Sequence, residues 1–207
     1  LFVSCANKGR AIMSNLLAID PGSQRSGWCE IADNTPVKWG WDTNEDVRSL
    51  VNVTDRGGYV AVEYMRPRGM PTGQDEMDTM YELGRMTAGI PADYVAKIAR
   101  KDVKMFLLGR ASGTDANIRQ ALIDLFGGNR HAIGAIKCVT CKGKGWSGAG
   151  RPPCKDCHHM IADGKNAEHG CGYEVHPGVL HGVTGHAWSA LACGMTYLAS
   201  KGKEVAF

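Results

Sequence analysis

Two acidic residues stand at the ends of short apolar runs, where paired carboxylates can do metal chemistry. Asp20 closes the run NLLAID and is followed by Pro-Gly, and Glu63 lies near the end of YVAVEY. In an open α/β sheet, residues just beyond strand ends form the site. Two carboxylates placed there can share divalent cations that activate water and stabilise the leaving oxygen in phosphodiester cleavage. Taken alone, however, Asp20 is better explained as a turn-forming aspartate.

A second group of residues with metal-ligand spacing consists of two CxxC pairs separated by twelve residues. Each pair sets two thiolates on a tight knuckle, and two knuckles close a tetrahedral zinc site. A four-cysteine site leaves no open position, so the spacing predicts a structural Zn²⁺. The run CVTCKGKG also resembles the knuckle of DnaJ-type zinc domains. The four predicted ligands are Cys138, Cys141, Cys154 and Cys157.

Further potential ligands follow the two pairs closely. One of them could replace a cysteine, or several could form a second site, but an exposed polar loop is the interpretation that we favour. These residues are His158, His159, His169 and Cys171.

The acidic residues need a scaffold, and the apolar pattern predicts a mixed α/β sheet with helices on both sides. The region 127–182 is rich in Gly, Cys and His and shows no apolar period. The predicted strands are Asn15–Asp20, Ser26–Ala32, Pro36–Trp41, Tyr59–Tyr64 and Val103–Leu108. The predicted helices are Asn44–Val53, Asp75–Met86, Pro91–Arg100, Asn117–Phe126 and Val183–Ala199.

Three segments in order resemble the motifs of the RuvC family in the RNase H-like superfamily. LLAIDPGSQRSGW resembles the first motif, YVAVEYM the second and GVTGHAWSALACG the third. KDVKMFLLGRASGTDANIRQALIDLFG is similar to the strand, basic loop and helix between the last two motifs. The nearest likeness is to phage-encoded Holliday junction resolvases. The resemblance implies an RNase H-like, mixed five-stranded sheet flanked by helices, with the zinc segment as a small insertion.

The resemblance also implies which residues act. The family's metal ligands map onto Asp20, Glu63 and His186, which would hold Mg²⁺ or Mn²⁺. The family has another aspartate one turn after His186, where this chain has Ser189. A hydroxyl cannot supply the negative charge that holds a hard cation. Either three ligands suffice, another acid substitutes, or the site is impaired. His186 could instead serve as a general base.

Branched DNA, with a four-way junction as first choice, is the substrate that the resemblance implies, cut by two-metal hydrolysis. Symmetric incision of a junction needs two active sites, so a homodimer is implied as well. Basic side chains in the loop after YVAVEYM, on the next strand and loop and in the zinc insertion, together with an aromatic tip on that insertion, are candidates for contacting DNA. They are Arg66, Arg68, Lys104, Arg110, Lys142, Lys144 and Trp146.

Length and composition set the remaining expectations. The chain has 207 residues, 43% of them hydrophobic, and a net charge of +3, which excludes intrinsic disorder and gives no sign of a membrane span. Basic residues follow the first apolar stretch, the wrong order for a secretory signal, so we expect a cytoplasmic protein, in the bacterial host if phage-encoded. The predicted divisions are an extension at 1–12, a core at 13–136, a zinc insertion at 137–176 and a C-terminal core helix at 177–207.

Three other classes of protein remain compatible with the sequence. Ser189 allows a catalytically weakened protein that binds branched DNA. A RuvC nuclease fragment of TnpB type also carries paired CxxC motifs before its last motif, although 207 residues leave no guide-binding region. A zinc-binding interaction module would need no acids at strand ends.

Overall fold

A five-stranded mixed sheet forms the centre of the chain. The computed structural model describes residues 16–54, 58–66, 72–134 and 178–201. The sheet order is β3-β2-β1-β4-β5, in which β1, β2 and β3 are antiparallel neighbours while β4 and β5 run parallel to β1. The strands are β1 (Leu16–Asp20), β2 (Arg25–Ala32), β3 (Thr35–Thr43), β4 (Tyr59–Tyr64) and β5 (Val95–Ala99). The predicted α/β fold class with five strands is confirmed.

Helices cover both faces of this sheet. Thr43 begins the first of them, since its hydroxyl accepts a hydrogen bond from the Asp46 amide at 3.3 Å, as expected of an N-terminal cap. A short 3-10 turn at Ala92–Tyr94 precedes β5. The helices are α1 (Asn44–Thr54), α2 (Gln74–Thr87), α3 (Arg100–Leu108), α4 (Asp115–Leu125), α5 (Gly128–Ala132) and α6 (Ala187–Ser200).

Two predicted elements around residue 100 were wrong. The segment Pro91–Arg100 is not a helix, because Val95–Ala99 pairs with β4 as a parallel strand. Val103–Leu108 is not a strand but belongs to α3, which ends at Gly109 with a left-handed φ of 67°. Short apolar runs of this length suit either state, and only the pairing with β4, distant in sequence, decides between them.

Alternation along β1 and β4 sends their side chains to two different layers. Leu17 and Ile19 join Val60 and Val62 in a buried cluster with residues of α1 and α2. The intervening residues, Ala18 among them, face α6 instead. Asp20 continues the α6-facing series of β1, and Glu63 continues that of β4. The alternation therefore places both acidic side chains on the face of the sheet that α6 covers.

Helix α6 lies very close to the sheet. It is buried along nearly its whole length, from Ala187 to Leu198. A Cβ placed on Gly194 would lie 2.5 Å from Ile31 Cδ1 and 2.9 Å from Ala18 Cβ. The absence of a side chain at Gly194 thus sets the distance between helix and sheet, and with it the position of the helix start.

The chain divides into two compact units. One comprises residues up to Arg119 together with the segment from Val183 to Ala206, and it contains the sheet and α6. The other runs from Gln120 to Gly182 and includes α5, which the sequence did not predict. The domain boundaries drawn from the sequence, including the extension at 1–12 and the insertion at 137–176, fall largely on residues outside the described ranges and stay predictions.

Among the described residues, no helix has the length and apolar character needed to cross a membrane.

Replacing Gly194 by alanine should lower the free energy of unfolding by about 1–3 kcal/mol, because the added methyl overpacks the contact between α6 and the sheet. Gly84→Ala is the matched control. Gly84 lies in α2, and apart from its chain neighbours and the backbone of its own helix no atom lies within 4 Å of the place that an added methyl group would occupy, so alanine there should raise stability by about 0.5–1 kcal/mol. Urea unfolding measures both, and equal effects of the two substitutions would contradict this packing.

Candidate active site

Asp20 and Glu63 lie at the ends of neighbouring strands. Ile19 pairs with Val62 in the parallel register of β1 and β4, so the next residue on each strand is one of the two acids. Both side chains are largely buried, with 16% of Asp20 and 13% of Glu63 exposed. The structure therefore brings together the two carboxylates that the sequence singled out.

His186 joins this pair from the start of α6. Its Nδ1 lies 3.0 Å from Asp20 Oδ2, although the two residues are 166 positions apart in the chain. The backbone carbonyl of His186 accepts the first hydrogen bond of α6, from the Ala190 amide. The ring is thus held at a helix terminus beside Asp20, and 61% of its side chain is exposed.

Ser189 lies three residues further along, in the first turn of α6, and is only partly exposed. The helical spacing puts it on the same side of α6 as His186. Helix α6 itself contains no Asp or Glu, so the hydroxyl of Ser189 stands where the family has an aspartate.

The sequence missed one central member of this site, Arg100. Arg100 Nη1 donates to Glu63 Oε2 at 2.9 Å, and its Nη2 donates to Asp115 Oδ1. From the sequence, Arg100 is expected as the last residue of the predicted helix Pro91–Arg100. It is instead half-buried at the first position of α3, directly after the strand that pairs with β4.

Burial and mutual repulsion govern the protonation of the two acids. Burial and, after it, the charge of Asp20 raise the pKa of Glu63 from its ordinary value of 4.5 to about 7, while Arg100 opposes the shift. Burial likewise raises the pKa of Asp20, against the hydrogen bond and charge of His186. Asp115 adds to the repulsion on both acids. The site carries excess negative charge that Arg100 only partly neutralises.

This donor set has the chemistry that a hard divalent cation requires. Carboxylate oxygens are the preferred ligands of Mg²⁺ and Mn²⁺, and an imidazole is acceptable to Mn²⁺. A cation would also favour the ionised form of Glu63, whose pKa is raised by burial and by the charge of Asp20. In this arrangement Glu63 is bonded to Arg100, and no three His, Cys, Asp or Glu side chains within the described ranges come close enough to form a complete metal site.

The candidate DNA-contacting residues are only partly described. Arg66 is exposed and lies 3.7 Å from Asp102, while Arg110 is exposed and Lys104 partly exposed. These three belong to the same unit as the acids. The others lie outside the described residues: Arg68, Lys142, Lys144 and Trp146.

The predicted zinc ligands Cys138, Cys141, Cys154 and Cys157 also lie outside the described residues, as do His158, His159, His169 and Cys171. Two isolated cysteines can be assessed. Cys29 and Cys193 are free and fully buried, so their thiols belong to the core.

Comparison with known proteins gives a likeness of fold. No protein-family model and no curated sequence matches the chain. The structure of RuvC from Thermus thermophilus is similar at a TM-score of 0.51 and 16% identity, covering 91% of this chain and 96% of that chain. T. thermophilus RuvC in complex with a Holliday junction substrate gives a TM-score of 0.47 at the same identity and coverage. The first likeness and the strand order identify an RNase H-like fold, as the sequence predicted.

The raised pKa of Glu63 predicts a pH-dependent cost to stability in the metal-free protein. The folded state binds the extra proton between pH 4.5 and about 7, so stability falls as the pH rises through that range. Glu63→Gln removes the buried charge and should stabilise the protein at pH 8, in EDTA, by on the order of 1–3 kcal/mol. At pH 4.5 the gain should vanish.

Denaturant unfolding at the two pH values measures this effect. Glu30→Gln serves as the control. Glu30 lies on β2 opposite the exposed Lys38, so its neighbour is a positive charge instead of another acid. A gain for Glu63→Gln that is the same at both pH values would contradict the raised pKa of Glu63.

Proposed function

We propose that this protein is a metal-dependent endonuclease that hydrolyses phosphodiester bonds in branched DNA, with the four-way junction as its preferred substrate. The observation that carries the proposal is the pair of buried carboxylates, Asp20 and Glu63, joined by His186 at 3.0 Å from Asp20. Such excess negative charge at the end of a sheet favours cation binding. The likeness of fold to T. thermophilus RuvC supports the same chemistry.

Each residue has a distinct proposed role. Asp20 and Glu63 would hold Mg²⁺ or Mn²⁺, which when bound supplies charge for the leaving oxygen and lowers the pKa of water. An ionised Asp20 can only accept a hydrogen bond, so it holds the His186 proton on Nδ1. In the neutral ring Nε2 then carries a lone pair, which can either take the proton from the attacking water or join the cation ligands.

Contacts with DNA are proposed at the basic residues around this site. Arg66, Lys104 and Arg110 lie on exposed or partly exposed surface of the unit that contains the acids, where they can neutralise phosphates. Arg68, Lys142, Lys144 and Trp146 are proposed to add contacts from the neighbouring loop and the zinc insertion, on the grounds of sequence alone.

A homodimer follows from the proposed substrate, since two symmetric cuts need two sites. Helix α2 offers support for a partner surface. Met77 and Tyr81 lie one helical turn apart and are 58% and 66% exposed, an unusual pair of large apolar side chains to leave in water.

The paired cysteines are proposed to bind one structural zinc per chain. Replacing Cys138 and Cys141 together by serine should abolish zinc retention, because two thiolates cannot close a tetrahedral site. Metal analysis of the purified protein measures this directly. Cys29→Ala is the control and should keep its zinc, and zinc-free wild-type protein would rule the site out.

A catalytically weakened protein that binds branched DNA is the second candidate, and Ser189 favours it. No carboxylate from α6 completes the site among the described residues, which leaves cation binding to fewer charges. Ser189→Asp restores that charge. If the second candidate is correct, this variant should cut junctions at least ten times faster than wild type.

Cleavage of a synthetic four-way junction tests the proposed function. With Mg²⁺ or Mn²⁺, wild-type protein should give nicked duplex, and Asp20→Asn should lower the rate by about 10²- to 10⁴-fold, since it loses a cation-holding charge. Binding of the junction in Ca²⁺ should persist.

Two controls make the result interpretable. Asp124→Asn removes an exposed carboxylate of α4 in the second unit and should leave the rate unchanged. Junction binding without any product, in both the wild type and Ser189→Asp, would overturn the proposed nuclease activity.

A further inference from the structure

Three residues on adjacent strands, Asp20, Gly27 and Trp41, form a row across β1, β2 and β3. Asp20 pairs with Gly27 across β1 and β2, and Gly27 pairs with Trp41 across β2 and β3. Directly paired residues project their side chains to the same face of a sheet. Gly27 therefore leaves a gap between the carboxylate on one side and the indole on the other.

His186 fills this gap. A Cβ on Gly27 would lie 2.5 Å from the carbonyl oxygen of His186 and 2.7 Å from its Cβ, so only glycine allows the backbone of His186 to approach so closely. The imidazole of His186 then contacts both Asp20 and Trp41. Its Nδ1 lies 3.0 Å from Asp20, and the ring stacks on Trp41 with centroids 5.7 Å apart and an interplanar angle of 23°.

Trp41 itself is held firmly in place. The guanidinium of Arg25 lies 4.1 Å from the indole centroid and donates to the Trp41 carbonyl at 2.6 Å. On the other face of the sheet, the next residue, Asp42, accepts a hydrogen bond from Trp28 Nε1 at 2.7 Å. These contacts hold the indole in a fixed position beside the imidazole of His186, even though 46% of Trp41 is exposed.

We propose that Trp41 is a positioning residue for His186, a proposal that rests on the proposed nuclease function. A hydrogen bond at Nδ1 fixes one point of the imidazole but leaves the ring free to swing about it. The stacked indole removes that freedom. Together, Asp20 and Trp41 select one tautomer and one orientation, in which Nε2 is the nitrogen presented to the reaction.

The tautomer of His186 is the direct readout and needs neither metal nor DNA. Long-range proton–nitrogen NMR spectra of metal-free protein distinguish the two ring nitrogens, and His186→Gln assigns the signal among the seven histidines. We expect wild-type His186 to carry its proton on Nδ1. In Trp41→Ala the signals should move toward the average of the two tautomers, while Trp41→Phe should retain the wild-type pattern.

Kinetics provide the second readout. Trp41→Ala should lower kcat on a junction substrate by about 10- to 100-fold, as expected for a misplaced catalytic group, with KM within twofold of wild type. Trp41→Phe should recover most of the rate, since a phenyl ring also stacks. Val37→Ala, at an exposed position of the same strand, is the matched control and should behave as wild type.

A milder variant covers the case in which Trp41→Ala does not fold. Arg25→Gln leaves the indole in place but removes its guanidinium partner, so its effects on tautomer and kcat should be smaller and in the same direction. Circular dichroism establishes that each variant is folded.

Two results would overturn the proposal. One is an unchanged His186 spectrum in folded Trp41→Ala and Arg25→Gln. The other is a rise in KM with kcat unchanged, which would make Trp41 a DNA-contacting residue instead. Because the NMR experiment needs no turnover, it decides the role of Trp41 even if neither the wild type nor Ser189→Asp cuts junctions, the result that would refute the nuclease function.

Discussion

The burial of two neighbouring carboxylates is the constraint on which the rest of the site depends. Asp20 and Glu63 stand at the ends of neighbouring strands because the parallel register of β1 and β4 leaves no alternative. Their burial and proximity raise the pKa of Glu63 to about 7. Positive or proton-donating groups must offset this charge, and Arg100 and His186 approach from two different helices to do so. The proposed cation would complete the compensation.

Backbone proximity makes this arrangement possible. Gly194 allows α6 to lie close against β1, and Gly27 allows the residue before α6 to rest on β2. Both glycines act through the missing side chain, since an added Cβ would overlap neighbouring atoms. The position of His186 beside Asp20 is therefore a consequence of helix packing. Gly194 in α6 and Gly27 on β2 together determine the position of the exposed imidazole of His186.

The sequence predicted the parts of this site that depend on local pattern. Strand ends placed Asp20 and Glu63, and the motif before α6 placed His186. It failed at Arg100, because the apolar run Val95–Ala99 suits a helix as well as a strand and only pairing with β4 decides. A helix over that run would not place Arg100 directly after a strand, so its position beside Glu63 was not predicted. Trp41 was missed since its contact with His186 depends on the register of three strands, which no local pattern reveals.

The central claim is that Asp20 and Glu63 hold a divalent cation, and a crystal structure of the protein with Mn²⁺ tests it most directly. We predict an anomalous peak within about 2.0–2.6 Å of carboxylate oxygens from both residues. The bond between Glu63 and Arg100 should then be weakened or lost, because the cation competes with the guanidinium for the same carboxylate. An intact bond between Glu63 and Arg100, with no peak between the two acids at saturating Mn²⁺, would contradict the account.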